Sequence, residues 1–227
     1  MADKPQLSVD VVSDVVCPWC FIGQKRLAQA VSMAPDIDVT VRWRPYQLDA
    51  TIPPEGHDRK QYMVAKFGSE EKLKQVHARL LEAAADDGID FALDDIAVSP
   101  NTLDAHRMIR WAGGADLALQ NRVVRDLFSA FFEKGRNIGD TRVLIEVARE
   151  AGMDATVVET LLATDADKDA VREEIATAQH MGITGVPCFL LEGRYAVVGA
   201  QDAATLADAM QRVSAAKVKG ELETATG

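Results

Sequence analysis

Apolar and polar residues alternate at Leu7, Val9 and Val11, a period of two that predicts a strand over residues 7–12. The spacing then becomes helical. Phe21, Leu27, Ala28 and Val31 share one side of a segment predicted to run from about 18 to 33, ending before Pro35. Alternation returns at Ile37, Val39, Val41 and Trp43, set against Asp38, Thr40, Arg42 and Arg44, and Pro45 ends it. Strand, helix and strand of these lengths form a βαβ unit with parallel strands. Arg42 and Arg44 are expected on its solvated face.

The pattern changes after Ile52-Pro53-Pro54-Glu55-Gly56, a linker signal. From about 58 to 181 the period is almost wholly helical. Leu73, Val76, Leu80 and Ala84 mark one apolar face, with Gly88 as its stop. Phe91-Ala92-Leu93 reads as a loop or short extended piece. A further helix is expected from Ser99-Pro100-Asn101-Thr102 to Gly113-Gly114. Val124, Leu127, Phe128 and Phe131 define the next face. Leu144, Val147, Ala148 and Ala151 follow, closed by Gly152. Val157, Val158, Leu161 and Leu162 form a short helix, and Val171, Ile175 and Ala178 the last one, ending near Gly182. Faces this regular bury core.

Strand character resumes at Cys188-Phe189-Leu190-Leu191. Glu192-Gly193-Arg194 turns the chain, and Tyr195–Gly199 comes back as the second arm of a hairpin. Asp202 caps a final helix holding Leu206, Met210 and Val213, and a frayed tail is expected from Lys217 to Gly227. The sum is an α/β chain of order β-α-β, helical insertion, β-β-α. Residues 1–52 and 182–227 would form one discontinuous domain, and 53–181 an inserted helical subdomain over the active-site end.

Composition narrows the function. With 48% hydrophobic residues in 227, the chain can bury a core without disulfide staples. A formal charge of −10 argues against nucleic acid and anionic membrane surfaces as partners. No run reaches transmembrane length. The first residues lack a basic segment followed by an apolar one, so no secretory signal is expected. Three cysteines are too few for a disulfide scaffold. These features together predict a cytoplasmic protein.

The chemistry concentrates in Cys17-Pro18-Trp19-Cys20. Proline suits the first helical position, since its missing N–H would have no partner there. Cys17 then falls at the helix N-cap, where orphan N–H groups and the positive end of the helix dipole favour thiolate, the nucleophilic form. Cys17 is expected to be the exposed thiol and Cys20, one turn later, the interior one, within disulfide reach. Two other readings of a C-x-x-C are half of a zinc site and a structural disulfide. Zinc needs two more ligands. Cys188, His57, His77, His106 and His180 supply no second C-x-x-C or H-x3-5-H pair, so no metal is expected. A C-x-x-C beside a βαβ pattern favours redox catalysis.

DVVCPWCFIGQKRL resembles the active-site segment of DsbA-like thioredoxin-fold oxidoreductases, specifically their FrnE-like branch. Residues 101–107 (NTLDAHR), 131–135 (FFEKG), 185–187 (GVP) and 199–201 (GAQ) match that branch in order, so the resemblance spans about residues 7 to 213. It implies a thioredoxin fold with a DsbA-type insertion. The implied activity is thiol–disulfide exchange, with Cys17 attacking and Cys20 resolving the mixed disulfide. No cofactor is implied; glutathione or a dithiol protein would recycle the pair. The partner is a disulfide- or thiol-bearing protein or small molecule, and monomer and homodimer stay open.

Taken alone, a proline starting a strand is trans; the resemblance implies that Pro187 is cis, with the Val186 backbone facing substrate. Pro18 and Trp19 would line the same groove, Trp19 as an apolar contact or a shield for the disulfide. His106 is either a helix histidine satisfied by a neighbour or a group tuning the cysteines. Asp14 suits either a proton acceptor near Cys20 or turn chemistry. Asn101 reads as a turn or cap residue. Two rivals remain: a glutathione-dependent isomerase or transferase of the same superfamily, which generally lacks the cysteine pair, and a redox-regulated chaperone using the same groove. Cys188 departs from the branch, which has an apolar or aromatic residue after the proline. It is expected to be a buried hydrophobe rather than a third redox thiol.

Overall fold

The computed structural model describes residues 4–222. The alternating N-terminal segment forms β1 (Gln6–Ser13), the next apolar stripe α1 (Pro18–Met33), and the second alternation β2 (Asp38–Pro45). Near the other end lie β5 (Cys188–Leu191), β6 (Tyr195–Val198) and α9 (Ala203–Lys219). The main sheet has the order β2-β1-β5-β6. β1 runs parallel to β2, with Val9 opposite Val41, and antiparallel to β5, with Val9 opposite Leu191. β5 and β6 form the antiparallel hairpin. Helix α1 packs with α9 on one face of the sheet, a thioredoxin-type arrangement.

Between β2 and β5 come α2 (Arg59–Phe67), α3 (Glu70–Ala83), α4 (Leu103–Ala115), α5 (Leu117–Phe128), α6 (Thr141–Ala151), α7 (Ala155–Leu162) and α8 (Lys168–His180). This stretch is not purely helical. The two-residue strands β3 (His57–Asp58) and β4 (Val98–Ser99) pair antiparallel. Gly56 lets them meet: its φ is +81°, and a Cβ there would lie 2.5 Å from Val98 Cγ1. A single turn of 3₁₀ helix covers Leu93–Asp95. No helix among the described residues is long and apolar enough to cross a membrane.

Three boundaries differ from the sequence expectation. Helix α3 stops at Ala83, before Gly88, because Arg26 Nη2 takes the Ala83 carbonyl at 2.6 Å and residues 84–87 turn back. Helix α4 does not stop at Gly113-Gly114 but runs through both. Gly113 makes room for Gln120, whose Nε2 lies 2.5 Å from where a Cβ would sit. That buried amide accepts from Trp43 N–H at 3.0 Å and donates to the Trp43 carbonyl at 3.2 Å, pinning α5 to β2. Helix α9 extends into the first three residues of the segment expected to fray, to Lys219, and is capped by Gly220, φ +71°; residues 223–227 of that tail lie outside the described residues. Within α7, Val157 faces out, and Val158 and Leu162 carry the burial.

An aromatic cluster fixes α1. Phe21 of α1 stacks on Phe128 of α5 at 5.2 Å and on Phe132 at 6.0 Å, while Phe91 meets it edge-on at 6.0 Å. Aromatic pairs of this kind contribute about 0.5–1.5 kcal/mol each beyond their burial. The backbone widens to a π turn at Ser129–Glu133, which brings both Phe131 and Phe132 inward. Arg26 adds a polar tie. Its guanidinium holds Asp87 at 2.9 Å and also the carbonyls of Ala83 and Ala200, joining α1 to the end of α3 and to the loop after β6.

Candidate active site

Cys17 is the N-cap of α1, with extended backbone (φ −91°, ψ 114°) and Pro18 following in the first turn. Its N–H donates to Asp14 O at 2.9 Å, and its own carbonyl accepts from Cys20 and Phe21. This turn ends β1 and starts the helix. The sulfur makes no capping hydrogen bond to the helix N–H groups. It lies instead 3.7 Å from the carbonyl oxygen of Val186. The Val186–Pro187 peptide bond is cis.

Cys17 is not the exposed thiol expected from sequence. Only 4% of it is accessible, because the Val186 loop and the helical segment close over it. It nonetheless lines a cleft of about 340 Å³ together with Pro18, Trp19 and Val186. Trp19 is 39% exposed at the rim. Cys20 is fully buried and does not reach the cleft. Burial, with the neighbouring Cys17 sulfur next in effect, pushes the Cys20 thiol well above the ordinary cysteine range. The Ser13 hydroxyl, which has no oxygen or nitrogen partner among the described residues, sits beside Cys20 and opposes that rise. All three cysteines are free thiols. The arrangement offers one sulfur to the cleft and keeps a protonated partner behind it.

Asp14 is buried at the back of this turn. Its Oδ2 accepts from Leu48 N–H at 2.8 Å, and its Oδ1 lies 3.4 Å from His106 Nε2. His106 thus has the Asp14 carboxylate as a neighbour, and that carboxylate also ties the turn after β1 to the segment after β2. The NTLDAHR segment is explained by the same region. Asn101 Nδ2 donates to Ile52 O at 2.6 Å, and its Oδ1 accepts from Leu103 N–H. The fully buried Arg107 holds Asp104 and the carbonyls of Leu161, Thr164 and Ala166. In GAQ, the Gly199 N–H donates to Pro187 O at 2.8 Å, bracing the loop beside Cys17.

Cys188 is 2% exposed on β5, opposite Val12. It packs with Tyr46, Ala178 and Ile183, whereas its neighbour Phe189 joins the cluster that holds Cys17 and Cys20. Successive strand residues face opposite sides, so the sheet separates Cys188 from the pair. Burial pushes its thiol up. Among the described residues, no three His, Cys, Asp or Glu side chains cluster as metal ligands would.

The opposite wall of the cleft carries residues that the sequence did not single out for this site, His77 having been weighed there only as a zinc ligand. Arg59, Tyr62, Met63 and Lys66 lie on one face of α2, and His77 of α3 stands with them. Their i, i+3, i+4, i+7 spacing was the available signal. Tyr62 donates to Asp49 at 2.9 Å, and burial together with that carboxylate pushes the phenol up to about 12.

The profile of the family described as DSBA-like thioredoxin domain matches residues 8–211. The uncharacterized protein YwbO of Bacillus subtilis (strain 168) is 27% identical over 188 residues, covering 81% of this chain and 86% of that one. Among solved structures, the probable DsbA oxidoreductase SCO1869 from Streptomyces coelicolor superposes with a TM-score of 0.83 at 28% identity, covering 97% of this chain and 93% of that one. A 2-hydroxychromene-2-carboxylate isomerase shares the fold, with a TM-score of 0.70 at 19% identity over 96% of this chain and all of that one.

Proposed function

This chain belongs to the DSBA-like thioredoxin domain family, and from that premise we propose that it is a thiol–disulfide oxidoreductase of the FrnE-like kind, with Cys17 as nucleophile and Cys20 as resolving thiol. One observation carries the reading: of the paired sulfurs, Cys17 alone meets the cleft, while Cys20 waits buried and protonated one turn behind. Cys17 attacks a substrate disulfide and becomes linked to one half of it as the other half leaves. Cys20 then gives up its proton, attacks Cys17 Sγ and releases the second half. The net change is one substrate disulfide reduced and one protein disulfide formed; glutathione or a dithiol protein restores the pair, and no metal or organic cofactor takes part.

Pro18, Trp19 and Val186 form the floor of the substrate groove, with Pro187 behind them. An extended thiol-bearing segment would find the Val186 backbone available for pairing. The intact cysteine pair argues against the glutathione-transferase and isomerase reading. The setting is a reducing cytoplasm, a placement supported by the acidic charge and by an odd cysteine count that leaves Cys188 without a partner. A glutathione redox titration beside an insulin-reduction assay tests the whole. The expected result is a single two-electron couple assigned to Cys17 and Cys20 by alkylation mapping. Cysteines that fail to oxidise as a pair would remove the reading.

A further inference from the structure

The cleft over Cys17 holds a cation that disulfide exchange alone does not require. Arg59 opens α2, held there by its N–H bond to Ala97 O at 2.9 Å. Its guanidinium has five N–H donors. Among the described residues it has no carboxylate partner: Nη1 lies 3.4 Å from Ser99 Oγ, and Cζ stands 5.6 Å from the Phe131 ring centroid. Burial lowers its pKa to about 10, and it remains charged at neutral pH. The two acids lining the same cleft are committed elsewhere, Asp49 to Thr51 and Tyr62, and Asp14 to Leu48 and His106.

A half-desolvated guanidinium with idle donors is costly without an anion to satisfy it. Lys66 lies two turns along the same helix face and adds a second cation to the wall. His77 does not: burial and the Arg59 charge push its pKa down, so it stays neutral there. The chain as a whole carries −10, whereas within the cleft Arg59 and Lys66 offset the two carboxylates. The Asp49 pKa is lowered by its Thr51 hydrogen bond and further by the nearby Lys66 charge, so Arg59 is the cation left without an anionic neighbour among the described residues. Most of the remaining lining, including Leu48, Met63, Phe67 and Val76, is apolar, with Ser99 and Thr102 as polar exceptions.

We propose that Arg59 is the carboxylate anchor of the cleft, and that the disulfide exchanged at Cys17 is a small molecule joining a carboxylate to an apolar body. The cleft volume of about 340 Å³ suits a small ligand. The inference rests on the thiol–disulfide reading above and names its substrate class. Arginine is the residue suited to this role, since its planar fork matches a carboxylate in two parallel hydrogen bonds.

The test is single-turnover oxidation of the fully reduced full-length protein, so that no recycling partner is needed. Two disulfides are compared, 4,4′-dithiodibutyrate (a carboxylate on a three-methylene apolar arm at each sulfur) and bis(4-hydroxybutyl) disulfide (neutral, with a matching arm). Each rate is divided by that of the same disulfide with a free model thiol. The wild-type protein should favour the dicarboxylate by about tenfold or more, the scale of one charged hydrogen-bonded pair. Arg59→Gln should remove most of that preference, and Arg59→Lys, which keeps charge without the fork, should retain part of it; circular dichroism establishes that each variant is folded. An unchanged preference in folded Arg59→Gln overturns the anchor while leaving the exchange chemistry standing. If neither disulfide oxidises the wild-type pair, the exchange reading itself fails, and the anchor with it.

Discussion

Cys17 Sγ lies 3.7 Å from the carbonyl oxygen of Val186, so the sulfur nearest the cleft is seated against the loop that precedes β5. Cys20, one turn on, has no such opening. Access thus divides the pair: one sulfur meets the ligand space, and burial holds the other neutral.

That division predicts the behaviour of the two serine variants. Cys17→Ser should abolish exchange altogether. Cys20→Ser should still be attacked through Cys17 but cannot resolve, and mixed disulfides should accumulate. Non-reducing electrophoresis with mass spectrometry reads this directly. Trapping at Cys20 in a Cys17→Ser protein would reverse the assignment.

Cys188 should stay silent while the protein is native. Its side chain faces the far side of the sheet from the pair. Cys188→Ala should retain exchange and lose only about 1 kcal/mol of stability. Iodoacetamide should modify Cys188 only under denaturing conditions. A Cys17–Cys188 disulfide as a main product of mild oxidation would contradict both the burial and the separation by the sheet.

The buried thiols make the reduced protein sensitive to alkali. The pKa values of Cys20 and Cys188 are raised in the folded state, Cys20 most of all. The unfolded chain deprotonates first, from the ordinary cysteine value of about 8.5. The unfolded state therefore binds fewer protons, and stability is full below that pH and falls as pH rises toward the folded values. Thermal melts at pH 8 and pH 10 should show a larger loss for reduced wild type than for Cys20→Ala. Equal losses would mean that Cys20 does not titrate in the way its burial requires.

Phe21→Ala should be among the most damaging core changes. It empties the space between α1 and α5 where Phe21 stacks on Phe128. A fully buried phenylalanine truncated to alanine costs about 3–5 kcal/mol. Urea midpoints measure the loss. Because α1 carries both cysteines, exchange rates should fall as well, even in the fraction that remains folded.

The parts of this structure that were legible in sequence are those with a sustained period. β1, β2 and the β5–β6 hairpin alternate, and α1, α6 and α8 carry clear stripes, so each emerged from spacing alone. The β3–β4 ladder could not, because two residues show no period. Gly113 read as a stop signal, yet it is a clearance for Gln120, which only the tertiary packing reveals. The cysteine pair stood out as a motif. The burial of Cys17 did not, since the Val186 carbonyl and the helical wall reach it from distant parts of the chain. Arg59 was invisible as a site residue for a related reason: a lone arginine after a linker looks solvated until its neighbours are known.

The pairing of β1 with β5 has a consequence for how the chain assembles. Val9 finds its partner at Leu191, about 180 residues later. At a translation rate of about 5–20 residues per second, roughly 10–35 s separate the emergence of the two strands from a ribosome. Through that interval the βαβ unit carries an unpaired sheet edge, with the cysteine motif next to it, while the intervening helices are still being made. Loop closure over such a span rewards late, non-local contacts only after its entropy has been met. Synthesis from the N-terminus therefore makes the inserted helices available before β5, and only α9 emerges after the four-stranded sheet can close.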